Sequence, residues 1–135
     1  MNKIFSKIIP NKLIHTVFKT KDIQNRIDIC PPEQFLQLAV LRMDKGKTFK
    51  PHKHIFKKGE ENVIAQESWT VIQGSVKVFL YDLDDTIVYT DILKPGDCSI
   101  TFYGGHNYEI LEDNTLVYEH KTGPYKGQKL DKKFI

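Results

Sequence analysis

Between residues 67 and 120, turn-forming residues punctuate the chain so often that no helix of ordinary length fits between them. Gln73-Gly74, Asp82-Leu83-Asp84-Asp85, Lys94-Pro95-Gly96-Asp97, Gly104-Gly105 and Glu112-Asp113-Asn114 each interrupt an apolar, β-branched or aromatic run. In the third of these, Pro fixes φ at the second position and Gly accepts a positive φ after it. The runs between them, residues 67–72, 76–81, 87–93, 98–103, 107–111 and 115–120, read as strands. In the first, alternation places Glu67, Trp69 and Val71 on one face.

Upstream, residues 13–18 form the first strand, with His15 half-exposed on it, and residues 1–12 read as an arm. Cys30-Pro31-Pro32-Glu33 disfavours both helix and central strand. The apolar run 35–43 continues through Asp44-Lys45-Gly46-Lys47 into an extended segment ending at His54, a pattern that predicts a hairpin. Residues 55–65 carry charges and Gly59 and read as a loop at a pocket mouth, where Glu60 and Glu61 are solvated carboxylates. The polar tail from Lys121 ends in Phe134-Ile135, which either tucks back or packs on a partner. Many short strands without a convincing helix predict an all-β sandwich or small barrel.

A length of 135 residues fits a single domain with its own core. A net charge of +3, with lysines scattered rather than striped among aromatics, argues against a nucleic-acid partner. Cys30 and Cys98 stand far apart in no paired motif, as in a reducing compartment. The N-terminal apolar run is broken by Lys7 and stopped by Pro10, so it makes no signal-peptide core. No stretch approaches the roughly 20 apolar residues of a membrane span. The expectation is a cytoplasmic protein with no membrane association.

The candidate chemistry lies in Pro51-His52-Lys53-His54. On a strand, His52 and His54 present two imidazoles to one side, and Lys53 faces away. Glu67 from a neighbouring strand and His106 after the Gly-Gly corner complete a pocket for a divalent metal. Three imidazoles and a carboxylate suit Zn, Fe, Mn or Ni, whereas Ca and Mg prefer all-oxygen shells. Trp69, Tyr103 and Tyr108 are candidates for lining a substrate cavity, where a sugar ring stacks on an aromatic face. Tyr118 and His120 share one face of the last strand and are the candidate general acid or base.

These residues resemble the cupins, small β-barrels with a first motif G-x5-H-x-H-x3-4-E-x6-G and a second G-x5-P-x-G-x2-H-x3-N. Gly46 through Pro51 to His52 and His54 matches the start of the first motif, and Glu67 to Gly74 keeps its E-x6-G spacing. The gap between His54 and Glu67 is longer than the motif's, so Gln66 stays open as the alternative fourth ligand. Pro95-Gly96-Asp97 and Gly105-His106-Asn107 follow the second motif in order, with His106 further from the turn and no spaced Asn. The likeness spans residues 36–121, leaving an N-terminal arm over 1–34 and a tail over 122–135.

Within the cupins the chain looks most like the WbuC-type metalloproteins of surface-polysaccharide clusters. The residues responsible are Pro51-His52-Lys53-His54, the strand 76–82, and Tyr118-Glu119-His120-Lys121-Thr122-Gly123-Pro124-Tyr125. The resemblance implies a cupin-type double-stranded β-helix (jelly-roll barrel) and a surface-polysaccharide setting rather than a reaction. Together with His52, His54, Glu67 and His106 it leads to the expectation of a metal-dependent isomerase or epimerase acting on a sugar or nucleotide-sugar. The alternatives are a non-catalytic small-molecule-binding cupin or an Fe(II)-dependent dioxygenase. The resemblance also implies a homodimer, paired through residues 4–18.

Overall fold

Each apolar run bounded by turn signals becomes a strand, within a residue or two at its ends. The computed structural model describes residues 1–57 and 64–135. Most of the expected loop 55–65, with Glu60 and Glu61, therefore lies outside the described residues. In chain order the strands are β1 (Asn2–Phe5), β2 (Leu13–Val17), β3 (Arg26–Asp28), β4 (Leu36–Met43), β5 (His52–His54) and β6 (Glu67–Gln73). They continue as β7 (Val76–Tyr81), β8 (Ile87–Leu93), β9 (Cys98–Thr101), β10 (Gly105–Ile110), β11 (Thr115–Thr122) and β12 (Lys132–Phe134). Among the described residues the only helical pieces are two short 3-10 turns.

Two five-stranded antiparallel sheets face each other, in the orders β12-β5-β10-β7-β8 and β3-β4-β11-β6-β9, and β1 and β2 form a separate hairpin. This is the cupin-type double-stranded β-helix with an N-terminal arm. From β4 onward the chain crosses from one sheet to the other at each connection except the β7–β8 hairpin, where both strands lie in one sheet. Gly96 supplies the positive φ (+95°) that its turn requires.

The core fills the space between the sheets. Ala39, Leu41, Trp69, Val71 and Val117 project from one sheet and meet Val76, Val78, Tyr108 and Ile110 from the other. A second cluster lies outside the barrel, where Ile23 and Ile29 of the N-terminal segment cover Val40 and Leu116. Fully burying side chains of this size stabilises by about 1.5–3 kcal/mol each. The hairpin β1–β2 leaves Ile4, Phe5, Ile14 and Val17 exposed.

The expected hairpin between residues 35–43 and the segment ending at His54 does not form. β11 pairs with β4 along all eight of its residues, from Thr115↔Met43 to Thr122↔Leu36. The chain after Gly46 instead crosses to the facing sheet. Thr48 bridges Glu109, and β5 then settles between β10 and β12. That crossing carries His52 and His54 to the wall opposite Glu67. The C-terminus tucks back, as Lys132 pairs with His54 and Phe134 with His52.

Candidate metal centre

Register assembles this site. His106 on β10 lies directly opposite His52 on β5, and His54, two residues along, points to the same inner face. Glu67 opens β6 in the facing sheet, in register with Thr101 on one side and Lys121 on the other. His106 is 0% exposed, Glu67 3%, and His52 and His54 6% each. One nitrogen or oxygen from each of the four lies within 4.8 Å of the others. Metal–ligand bonds of about 2.0–2.2 Å span ligands up to roughly 4.4 Å apart, so a contraction of a few tenths of an ångström closes the set.

Hydrogen bonds to Nδ1 orient all three rings. His52 Nδ1 donates to the Lys50 carbonyl at 3.0 Å, and His54 Nδ1 faces the Asp131 carbonyl at 3.3 Å and its Oδ2 at 3.3 Å. Carbonyl oxygens only accept, so these partners place a proton on Nδ1 and make Nε2 the nitrogen that would face a metal. Thr101 Oγ1 takes the same position beside His106 Nδ1, at 3.0 Å. His54 Nε2 and His106 Nε2 are buried with no hydrogen-bond partner among the described residues. They lie 3.3 Å from Glu67 Oε2 and 3.2 Å from Oε1, respectively. Buried ring nitrogens without partners are costly, and a cation bound to them and to the carboxylate would satisfy all at once. The residues present fit a divalent transition metal.

The electrostatics of the four groups differ. Burial, with neighbouring His106 and Lys132, pushes His52 down to about 4, so it is neutral at ordinary pH. Burial acts downward on His54 too, but its contacts with Asp131 and Glu67 prevail and raise it to about 9. Burial acts upward on Glu67, and contacts with His106 and His54 hold its carboxyl well below the usual range.

Glu67, rather than Gln66, is the fourth member. Alternation turns Gln66 away, and its backbone N–H donates to Thr122 Oγ1 at 3.0 Å. Trp69 and Tyr108 lie inside the barrel as the floor of the site, their rings stacked with centroids 4.0 Å apart and planes 5° off parallel. Trp69 Nε1 donates to Glu67 Oε1 at 3.2 Å, and the Tyr108 hydroxyl meets Ser99 Oγ at 2.9 Å. Each is 2% exposed, so the expectation that a sugar stacks on them gives way to a core role. Tyr103 sits at the exposed corner between β9 and β10 and lines no described cavity beside the centre.

Tyr118 and His120 also need correction. They face the outer side of their sheet, bordering a hollow formed with Thr16, Phe18, Ile29 and Leu38. The inward residues of β11 are Val117, Glu119 and Lys121. A cavity of about 300 Å³ adjoins Glu67 on this inner side, and Arg26, Glu119, Lys121 and Lys132 are among its walls. No sequence pattern points to Lys132, another wall residue. β12 places its Nζ 3.0 Å from His52 Nε2. A three-residue strand in a polar tail leaves no periodic signal from which that placement could be read.

No family model matches this chain, and no curated protein matches it. Solved structures share its fold. KdgF from Halomonas sp. is 20% identical, covering 72% of this chain and 77% of that one, with a TM-score of 0.56. The capsular polysaccharide assembling protein CapF from Staphylococcus aureus is 16% identical over 90% of this chain, with a TM-score of 0.63. This chain spans only 32% of the CapF structure. A double-stranded β-helix protein from Klebsiella pneumoniae is 17% identical, covering 84% of this chain and 87% of that one, with a TM-score of 0.53. The chain has the double-stranded β-helix fold of the cupins, with a buried histidine and glutamate site that could hold a metal ion. No helix among the described residues is long and apolar enough to cross a membrane.

Proposed function

We propose that this protein is a metal-dependent isomerase or epimerase of a sugar or nucleotide-sugar in surface-polysaccharide synthesis. The observation that carries it is the convergence of His52, His54, Glu67 and His106, with two buried Nε2 atoms that have no hydrogen-bond partner among the described residues, beside a cavity of about 300 Å³. The fold likeness to a capsular polysaccharide assembling protein supports the setting.

A metal held by these four residues would polarise a carbonyl or bind vicinal hydroxyls, easing loss of the adjacent carbon-bound proton. Lys50, Thr101 and Asp131 hold the imidazoles in orientation. Trp69 fixes the Glu67 carboxylate from below, and the Trp69–Tyr108 stack excludes water from that side.

The test is solvent-deuterium incorporation. Protein purified without chelators is assayed for metal, then incubated in D2O with a panel of free and nucleotide-linked sugars and followed by NMR. We expect deuterium at a sugar carbon with the metal-loaded protein, and none after metal removal or in folded His52→Ala and His54→Ala variants. Full exchange in metal-stripped protein, or tight sugar binding without exchange, would overturn the reading.

A further inference from the structure

Three cations, Arg26, Lys121 and Lys132, line the cavity that adjoins Glu67. Their partners differ. All three guanidinium nitrogens of Arg26 are engaged, with Nη2 2.7 Å from Glu119 Oε1, Nη1 3.0 Å from Oε2, and Nε 2.9 Å from Asp28 Oδ1. Lys121 is held more loosely, with Nζ 3.4 Å from Asp131 Oδ2 and 4.0 Å from the centre of the Tyr125 ring. Asp131 also serves His54, so one carboxylate is divided between two groups.

Lys132 has no carboxylate within salt-bridge distance among the described residues. Its recorded contact is the neutral Nε2 of His52 at 3.0 Å. An ammonium on the wall of a cavity, matched only to an imidazole lone pair, is chemically suited to hold an anion.

The same lone pair is the one a metal would take from His52. Metal and Lys132 cannot both hold it, so loading the centre turns the ammonium away from His52. The described charges around the cavity are otherwise balanced, with Asp28, Glu67 and Glu119 against Arg26, Lys121 and Lys132. A divalent ion on Glu67 makes the balance positive. A volume of about 300 Å³ is at the small end of ligand sites and suits a single sugar ring better than a nucleotide.

We propose that this cavity binds a monosaccharide-sized anion, a sugar carboxylate or sugar phosphate, whose charged group is held by Lys132 with Lys121 beside it. The inference rests on the proposed metal site for the release of Lys132, and it adds the chemical class of the ligand. Lys132 binds in this account and transfers no proton.

The experiment is calorimetric titration of the full chain, zinc-loaded and zinc-free, with D-glucuronate, D-glucose 1-phosphate and D-glucose at millimolar concentration. Zinc content is measured separately. We expect one or both charged sugars to bind roughly tenfold or more tighter than glucose, the size of one charge-assisted hydrogen bond. Lys132→Met should lose that preference while keeping its zinc, and Lys132→Arg should restore it. Preference for glucuronate alone identifies a carboxylate, and preference for the phosphate alone identifies a phosphate. Zinc uptake with equal affinity for all three sugars, binding of none, or an anion preference unchanged in Lys132→Met overturns the anion site. Failure to take up zinc, with the anion preference present in wild type and lost in Lys132→Met, overturns the metal reading while supporting the cavity.

Discussion

Among the four converging residues, His54 sets the terms of metal uptake. Its ring rises to about 9 between Asp131 and Glu67, so the metal-free protein holds a proton there at neutral pH. His52, at about 4, is already deprotonated and offers its lone pair without competition. A metal must therefore displace one proton, and apparent affinity should climb by roughly tenfold per pH unit between about pH 6 and pH 8. Zinc titrations against a competing chelator measure this, and a flat profile would contradict it. His52, His54, Glu67 and His106 were legible because strand alternation and motif spacing both pointed to them. The roles of Tyr118 and His120 were not. Both faces of their sheet are covered, the inner by the barrel and the outer by Ile23, Ile29 and Phe18. Alternation revealed that the two share a side and could not reveal which side.

Short elements carry much of the chemistry. β3, β5 and β12 have three residues each, too few to show a period, and each contributes a side chain to the centre or its cavity. The longer strands follow from their apolar runs, whereas the predicted β4-to-β5 hairpin does not form because local turn chemistry does not say which sheet the next strand joins. Immediately before β12, Asp131 is 2% exposed and lies against His54 through both its carbonyl and its carboxylate. Asp131→Asn keeps the shape and removes the charge that helps hold this ring. Metal affinity should fall about 10–100-fold with the fold intact, the usual effect of losing a group behind a ligand. Competition titration together with circular dichroism would show it. An unchanged affinity would mean that the carbonyl alone positions the imidazole.

The molecule as a whole places three imidazoles on one sheet and the single carboxylate on the other. A bound ion would thus be a clasp between two layers that are otherwise joined by side-chain packing, connecting loops and a few side-chain hydrogen bonds such as Ser99–Tyr108 and Thr101–His106. Separating the layers at that end would require breaking coordination bonds as well as packing and hydrogen bonds, so the motion would be coupled to metal release. The expected consequence is slower amide hydrogen exchange in β5, β6 and β10 together upon zinc loading, with β8, at the far edge, unaffected. Protection confined to β5 and β10 would mean that Glu67 takes no part. The same clasp makes the ion a reporter of barrel breathing, since its rate of escape would record how often the two walls part.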